Sequence, residues 1–235
     1  MDIDEDRMRA DGTVDSFSEA SFTFLDELAE NNDTEWFDEH RAVFKEKLQH
    51  PFADCLLRVS ERLEDAEVPL SGSKDTMFRI VRDVRFTEDK RPYNESVSGL
   101  LTASGEKSEA GPLVYLVVDA KGGMTAAGFY KLDTKRLNRI RKRILERDEE
   151  FARIVSDIRD AGHDLEDENS LTSMPRGFED HKDHELAPIL KRKSLVVMND
   201  LPKTAWLDGS VVDRVADHAR LCMPLLAFGH RALEG

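Results

Sequence analysis

The middle of the chain holds two strand-like runs separated by a short glycine turn, and this arrangement limits the possible folds more than any other feature. Leu113 to Val118 is rich in valine and leucine, a composition typical of β-strands. Lys121-Gly122-Gly123 follows, and a second apolar run extends from Met124 to Tyr130. A strand, a glycine turn and a strand in this order predict an antiparallel hairpin.

Helix-type patterns lie on both sides of this hairpin. Residues 16–63 repeat apolar side chains at helical spacing in successive segments. The same spacing returns at residues 134–146 and 148–160, and one further helix is predicted from Ser210 to the end of the chain. Additional strands are predicted at residues 77–81, 96–102 and 194–198.

Strands grouped in the middle, with helices before and after them, predict an α+β fold rather than alternating β–α–β units. A chain of 235 residues is long enough for one sizeable core. We therefore expect a single domain over residues 16–235, with a mostly antiparallel central sheet of about four to five strands flanked by N-terminal, central and C-terminal helices. Residues 1–15 are polar and acidic, which predicts a disordered tail.

The chain is strongly acidic, with a formal net charge of −14. The first 50 residues hold fifteen Asp and Glu against five Lys and Arg, and arginine outnumbers lysine 21 to 13 in the whole chain. A carboxylate-rich, lysine-poor surface predicts adaptation to concentrated salt, as in a halophilic archaeon. In molar salt the Debye length is about 3 Å, and binding that depends on counterion release is weak. Nucleic acid is therefore not expected as a partner.

The sequence also limits where such a protein could work. No apolar run approaches the roughly 20 residues that a membrane helix needs, and no signal-type segment follows the acidic start of the chain. Cys55 and Cys222 lie far apart in helical apolar patterns and are typical of small core residues. These features predict a cytoplasmic protein without disulfides and without a membrane partner, and they indicate no particular protein partner.

Five cations lie within residues 79–91 of this otherwise acidic chain. Two hypotheses explain this cationic segment. The first is an oxyanion site for phosphate or carboxylate, in which Tyr93 donates a hydrogen bond and Asp83 or Asp89 orients the cations or acts as a base. The second is an internal ion-pair network in which the same two carboxylates neutralise the cations and hold the turn. The cations are Arg79, Arg82, Arg85, Lys90 and Arg91.

A second basic region could form the other wall of the same cleft. It contains Pro175-Arg176-Gly177-Phe178, where Arg176 would be presented on a glycine loop, and Lys191-Arg192-Lys193. The alternative is a loop anchored by Phe178 in the core, with the second group of cations solvated at a helix C-terminus, where the helix dipole favours them.

The remaining charged groups are given structural interpretations. The basic helix at residues 134–146 lacks interleaved aromatic side chains, so a solvated or internally paired face is favoured over a nucleic-acid surface. His181 and His184 lack the accompanying patterns that are typical of metal sites. The sequence therefore predicts no metal and no cofactor.

Two functions remain open from the residues alone. One is the binding of a small phosphate-bearing anion at the Arg-rich site, with hydrolysis or group transfer as the reaction class. The other is a non-enzymatic structural or interaction protein whose arginines hold the fold.

An ordered set of motifs resembles the family called domain of unknown function 2461, over residues 17–232. This sequence departs from the family pattern at Asn94, where members usually carry lysine, and at Leu195, where they usually carry an aromatic residue. The resemblance implies one domain and no established activity, so it brings no catalytic residues to this chain. The motifs are Asn31-Asn32, Trp36-Phe37, Arg41, Phe78-Arg79-Ile80, Arg82-Asp83, Arg85-Phe86, Asp89-Lys90, Pro92-Tyr93, Gly128, Tyr130, Leu137, Ile140-Arg141, Pro175-Arg176-Gly177-Phe178 and Leu190-Lys191-Arg192-Lys193-Ser194.

Overall fold

A computed structural model describes residues 16–168 and 170–234 of the chain. The strands are β1 (Ser96–Thr102), β2 (Leu113–Asp119), β3 (Gly122–Phe129) and β4 (Leu195–Asp200). The helices are α1 (Glu19–Glu30), α2 (Thr34–Phe44), α3 (His50–Arg62), α4 (Thr134–Glu146), α5 (Asp148–Asp160), α6 (Ala187–Leu190), α7 (Lys203–Leu207), α8 (Val211–Leu221) and α9 (Met223–Glu234). The tail predicted at residues 1–15 lies outside the described residues.

The four strands form one antiparallel sheet in the order β1-β2-β3-β4. The predicted hairpin is β2 and β3, in which Asp119 lies opposite Gly122. Each strand pairs with the next one along the chain, so the sheet needs no crossover connection within it. The predicted α+β fold with an antiparallel sheet is confirmed, and the sheet has four strands.

Helices cover one face of this sheet and leave the other face open. Side chains alternate between the two faces along each strand. On β2, Val114, Leu116 and Val118 are fully buried, whereas Leu113 and Tyr115 on the other face are only half-buried. Helix α3 packs against β1, and helices α8 and α9 pack against β3. The main core therefore lies between the helices and the inner face of the sheet.

Helices α2 and α3 are joined without a break by a π-helical turn at Lys45–Gln49. In an α-helix the N–H of residue 51 would donate to the carbonyl of Lys47, but Pro51 has no N–H. The hydroxyl of the fully buried Ser21 donates to the Lys47 carbonyl oxygen instead, at 2.6 Å. This bond attaches α1 to the bend and satisfies a carbonyl that the proline leaves without its helical donor.

Two predicted elements are wrong. Residues 77–81 are not a strand: Met77 bridges to Gly99 on β1, but Val81 bridges to Tyr93 instead. The pairing partner changes within five residues, so no continuous ladder forms. The single helix predicted after Ser210 is two helices, α8 and α9, because Pro224 lies in the first turn of α9 and cannot continue the hydrogen bonding of α8.

No helix in the described part of the chain is both long enough and apolar enough to cross a membrane.

Candidate ligand groove on the open sheet face

A groove of about 1160 Å³ lies on the open face of the sheet. Its floor consists of outward-facing side chains from all four strands, among them Leu100, Tyr115, Ala126 and Met198. These four residues are paired in register and form one row across the sheet. The walls come from the segment around residues 78–81, the loop that contains residues 107 and 109, and the segment between residues 166 and 194.

A protruding loop, residues 81–93, stands beside the groove; we refer to it as the arm. Its base is closed by two backbone hydrogen bonds, from the Arg82 N–H to the Pro92 carbonyl at 2.8 Å and from the Asn94 N–H to the Ile80 carbonyl at 2.7 Å. At its tip the ring of Phe86 is 92% exposed.

Asn32 attaches the base of the arm to the helical layer. Its side-chain amide donates to the Tyr93 carbonyl at 3.0 Å, and its side-chain oxygen accepts from the Tyr93 N–H at 3.0 Å. The ring of Tyr93 is buried and stacks on Phe37 with 4.0 Å between the ring centroids. Tyr93 was predicted to donate to a ligand; the structure gives its ring and backbone these packing and clamping contacts.

Most of the predicted cations pair with carboxylates inside the arm. Arg82 contacts Asp89 at 2.8 Å. Arg85 donates to both oxygens of Asp83, at 2.8 and 2.6 Å. Arg91 also contacts Asp89 at 2.7 Å. Arg91 also contacts Glu95, just outside the arm, and Lys90 donates to the backbone carbonyl of Val84 at 2.9 Å.

These contacts also set the proton affinity of the two arm carboxyls. Hydrogen bonds from Arg91, followed by those from Arg82, hold the pKa of Asp89 well below its usual range. Hydrogen bonds from Arg85 likewise lower the pKa of Asp83. Both groups are therefore weak bases, which does not favour either of them in the base role considered from the sequence.

Four cations line the groove itself: Arg79, Lys107, Arg192 and Lys193. None of them forms an ion pair within the described part of the chain. Lys107 donates to the Met77 carbonyl at 2.7 Å, and the side chains of Arg79 and Lys193 have no hydrogen-bond partner among the described residues. Three carboxylates also line the groove, those of Glu109, Glu166 and Glu168. The groove thus has a small excess of positive charge in an acidic protein.

Arg192 is the most constrained of these cations, since only 9% of its surface is exposed. One terminal nitrogen donates to the Glu166 carbonyl at 2.9 Å, but the buried Nε has no partner among the described residues. Burial lowers the pKa of the Arg192 guanidinium. A cation that is costly to bury and incompletely hydrogen-bonded stands beside the groove.

Arg141 on α4 holds this part of the groove wall in place. It is almost fully buried and donates to the carbonyl of Leu190 at 2.7 Å and to the carbonyl of Arg192 at 2.9 Å. Leu190 is the last residue of α6, where a cation is favourable, and Arg192 lies two residues beyond it. The contact fixes the backbone from which Arg192 and Lys193 extend.

Arg176 is exposed and is not among the residues that line the groove, while Phe178 beside it is buried. Among residues 16–168 and 170–234, no three His, Cys, Asp or Glu side chains come together in a way that could hold a metal ion.

Residues 20–228 match the model of a family described as "Conserved hypothetical protein (DUF2461)". The chain belongs to this family. No curated protein and no solved structure matches the chain. The resemblance drawn from the motifs is therefore confirmed, and the family description names no activity.

In this DUF2461 member several motif residues make architectural contacts. Asn32 clamps the arm, Tyr93 stacks in the core, and Arg141 fixes the wall that carries Arg192. Tyr115 and Lys107, in contrast, line the groove but were not singled out from the sequence. The sequence placed Tyr115 in a predicted strand, but the apolar residues on both sides of it gave no sign that one face of the strand is open.

Proposed function

We propose that this DUF2461 protein binds a small organic anion bearing a phosphate group in the groove on the open sheet face. One observation carries the proposal: four cations surround an apolar floor, and none of them is in an ion pair within the described residues. A phosphate offers several acceptor oxygens to such cations, and charge-assisted bonds of this kind are among the strong hydrogen bonds of proteins.

The proposal keeps Arg79 from the predicted cationic segment and adds Arg192 and Lys193. The contacts of Arg82, Arg85 and Arg91 support the alternative hypothesis for those three residues, an ion-pair network within the arm. Hydrolysis or transfer of the bound group is the reaction class that we propose, and Glu166 and Glu168 are carboxylates of the groove without an ion pair among the described residues.

The test compares two single substitutions with the same change in charge. Arg79→Ala removes an unpaired cation of the groove, whereas Arg85→Ala removes an exposed cation of the arm that pairs with Asp83. Calorimetric titration with ribose 5-phosphate should show binding that weakens about tenfold or more in Arg79→Ala, the loss typical of one hydrogen bond to a charged group. In Arg85→Ala the dissociation constant should change by less than about twofold.

Both variants should fold, because each changes an exposed side chain, and such changes usually alter stability by less than about 0.5 kcal/mol. If the two variants lost affinity equally, the anion would not be bound in the groove alone, and the arm would have to be part of the site. Absence of binding by ribose 5-phosphate and by inorganic phosphate at millimolar concentration would favour the non-enzymatic interaction protein. Release of inorganic phosphate during incubation would add the hydrolytic step.

The proposal has two further parts, adaptation to concentrated salt and a cytoplasmic location. The acidic, arginine-rich sequence supports adaptation to concentrated salt. The melting temperature should then rise with KCl concentration, because the salt screens the repulsion between carboxylates.

Burial raises the pKa of the thiols of Cys55 and Cys222 to about 12, and neither cysteine is in a disulfide. Free, unreactive thiols support a reducing compartment such as the cytoplasm.

A further inference from the structure

We infer that the ligand of the groove carries a planar aromatic ring besides its phosphate, so that the site takes a mononucleotide-type compound. The inference rests on the proposed function, since it assumes that the groove binds phosphate. It is drawn from the floor of the groove rather than from its cations.

The centre of the floor is aromatic and partly uncovered. Tyr115 stands on the inner strand β2, and its neighbour in register on β3 is the small residue Ala126. Phe78 lies beside it with 6.3 Å between the ring centroids and an angle of 56° between the ring planes. Rings at this distance and tilt are not stacked face to face, so a flat ligand can stack on Tyr115 with its edge against Phe78 and contact both rings.

Exposed apolar side chains are concentrated in the groove. Six large hydrophobic residues are strongly exposed in the described part of the chain, and four of them line this one groove: Phe78, Val81, Tyr130 and Met198. Scattered single residues of this kind need no explanation, but a cluster marks a binding surface. Phe78 is 45% exposed and Tyr130 is 50% exposed, so both rings are available to a ligand.

Polar groups beside the aromatic centre suit the edge of a heteroaromatic ring. Ser96 and Ser98 face the groove from β1, and their hydroxyls have no partner among the described residues. Ser98 lies diagonally across from Tyr115 in the β1–β2 register. A hydroxyl can donate to or accept from the ring nitrogens and exocyclic groups of a base, whereas a lipid chain would leave these hydroxyls without partners.

The distance between the aromatic centre and the cations also fits a nucleotide. Arg79 follows Phe78 in the chain, and Lys107 donates to the carbonyl of Met77 just before it, so two of the groove cations lie next to the Phe78–Tyr115 pair. Arg192 and Lys193 lie farther away, because the β4 residue in the row of Tyr115 is Met198. A ring on Tyr115 and a phosphate near Arg79 would therefore belong to one small molecule. A free phosphate would leave the aromatic floor empty.

Two larger occupants are disfavoured by the same geometry. An extended peptide gains affinity by adding to the edge of a sheet, but this groove runs over a sheet face, where the strands already use their backbone groups on one another. A nucleic-acid polymer needs many phosphate contacts, while the groove offers four cations and three carboxylates in a chain of net charge −14.

The test is calorimetric titration of the full chain with ribose 5-phosphate and with the four ribonucleoside 5′-monophosphates. Stacking on one aromatic side chain should make at least one nucleotide bind about 5- to 150-fold more tightly than ribose 5-phosphate. Tyr115→Leu should abolish this preference and leave the affinity for ribose 5-phosphate unchanged within about twofold. Phe86→Leu, which changes an aromatic residue outside the groove, should preserve the preference.

The possible outcomes separate the two proposals. If ribose 5-phosphate binds in an Arg79-dependent way but no nucleotide binds more tightly, the aromatic inference is overturned and the phosphate groove stands. If no phosphate compound binds, both fail. Should Tyr115→Leu not fold, Phe78→Leu at the exposed neighbouring ring gives the same readout, and an unchanged preference in it would overturn the inference. A short single-stranded oligonucleotide that binds far more tightly than every mononucleotide would overturn the small-molecule assignment.

Discussion

The clamp between Asn32 and the arm gives the sharpest test of how the groove wall is held. Asn32→Ala removes two hydrogen bonds to the backbone of Tyr93, whose side chain is only 5% exposed. Each such bond contributes about 0.5–1.5 kcal/mol net, so we expect the free energy of unfolding to fall by about 1–3 kcal/mol. Urea-induced unfolding with linear extrapolation measures this loss.

Asn32→Asp distinguishes the donor from the acceptor. The introduced carboxylate can still accept from the Tyr93 N–H, but it sets a second oxygen against the Tyr93 carbonyl, where the amide nitrogen now lies at 3.0 Å. We expect a loss of about 2–3 kcal/mol at pH 7. Because the charged form is disfavoured in the folded state, the pKa of the introduced carboxyl rises above its usual value of about 3.9. The lost stability should therefore return as the pH falls toward that value.

Asn31→Asp is the matched control, since Asn31 is exposed and donates only to the Glu27 carbonyl in its own helix. A new carboxylate there meets only the C-terminal end of the α1 dipole and should cost less than about 1 kcal/mol. If Asn32→Asp were no more destabilising than Asn31→Asp at pH 7, or if its cost did not shrink at pH 4.5, the clamp would not hold the arm as described.

Two further predictions concern buried polar groups. Arg141→Met leaves the carbonyls of Leu190 and Arg192 without their donor, and at about 1–3 kcal/mol for each buried group it should reduce the free energy of unfolding by about 2–6 kcal/mol. Arg136→Met on the same helix, which breaks an exposed pair with Asp133, should cost less than about 1 kcal/mol; equal costs in urea unfolding would contradict the role given to Arg141. Burial lowers the pKa of His218, which faces the Val197 carbonyl, Cys222 and the ring of His163, so the unfolded chain binds the proton more tightly and stability should fall as the pH drops below about 6.5. His218→Gln should flatten this part of the pH profile of unfolding, and an unchanged profile would refute the assignment.

Much of the fold could be predicted because its signals are local. The glycine turn at residues 121–123 and the two runs beside it specify the hairpin, and helical spacing specifies α4 and α5. The strand predicted at residues 77–81 was wrong for a non-local reason. Their composition suits a strand, but whether they join β1 depends on where residue 93 returns, and composition does not contain that information.

The candidate site was only partly predictable. The cationic segment was visible as a composition, and Arg79 within it does line the groove. The pairing of Arg82, Arg85 and Arg91 with Asp83 and Asp89 depends on the shape of the arm, so the sequence could propose it only as one of two alternatives. Tyr115 was missed because apolar residues occupy both faces of β2, although one face is open.

Because one face of the sheet is open, substitutions that alter the core and substitutions that alter the binding surface fall on different residues of the same strands. On β2 the even-numbered residues from 114 to 118 build the core and the odd-numbered ones from 113 to 117 face outward, whereas on β3 this parity is reversed. Substitutions at outward positions can alter which molecule the surface accepts while the packing beneath it stays intact. A scaffold of this kind can diverge in ligand preference among relatives with little cost in folding, and a designer could re-tune it by changing every second residue of two adjacent strands.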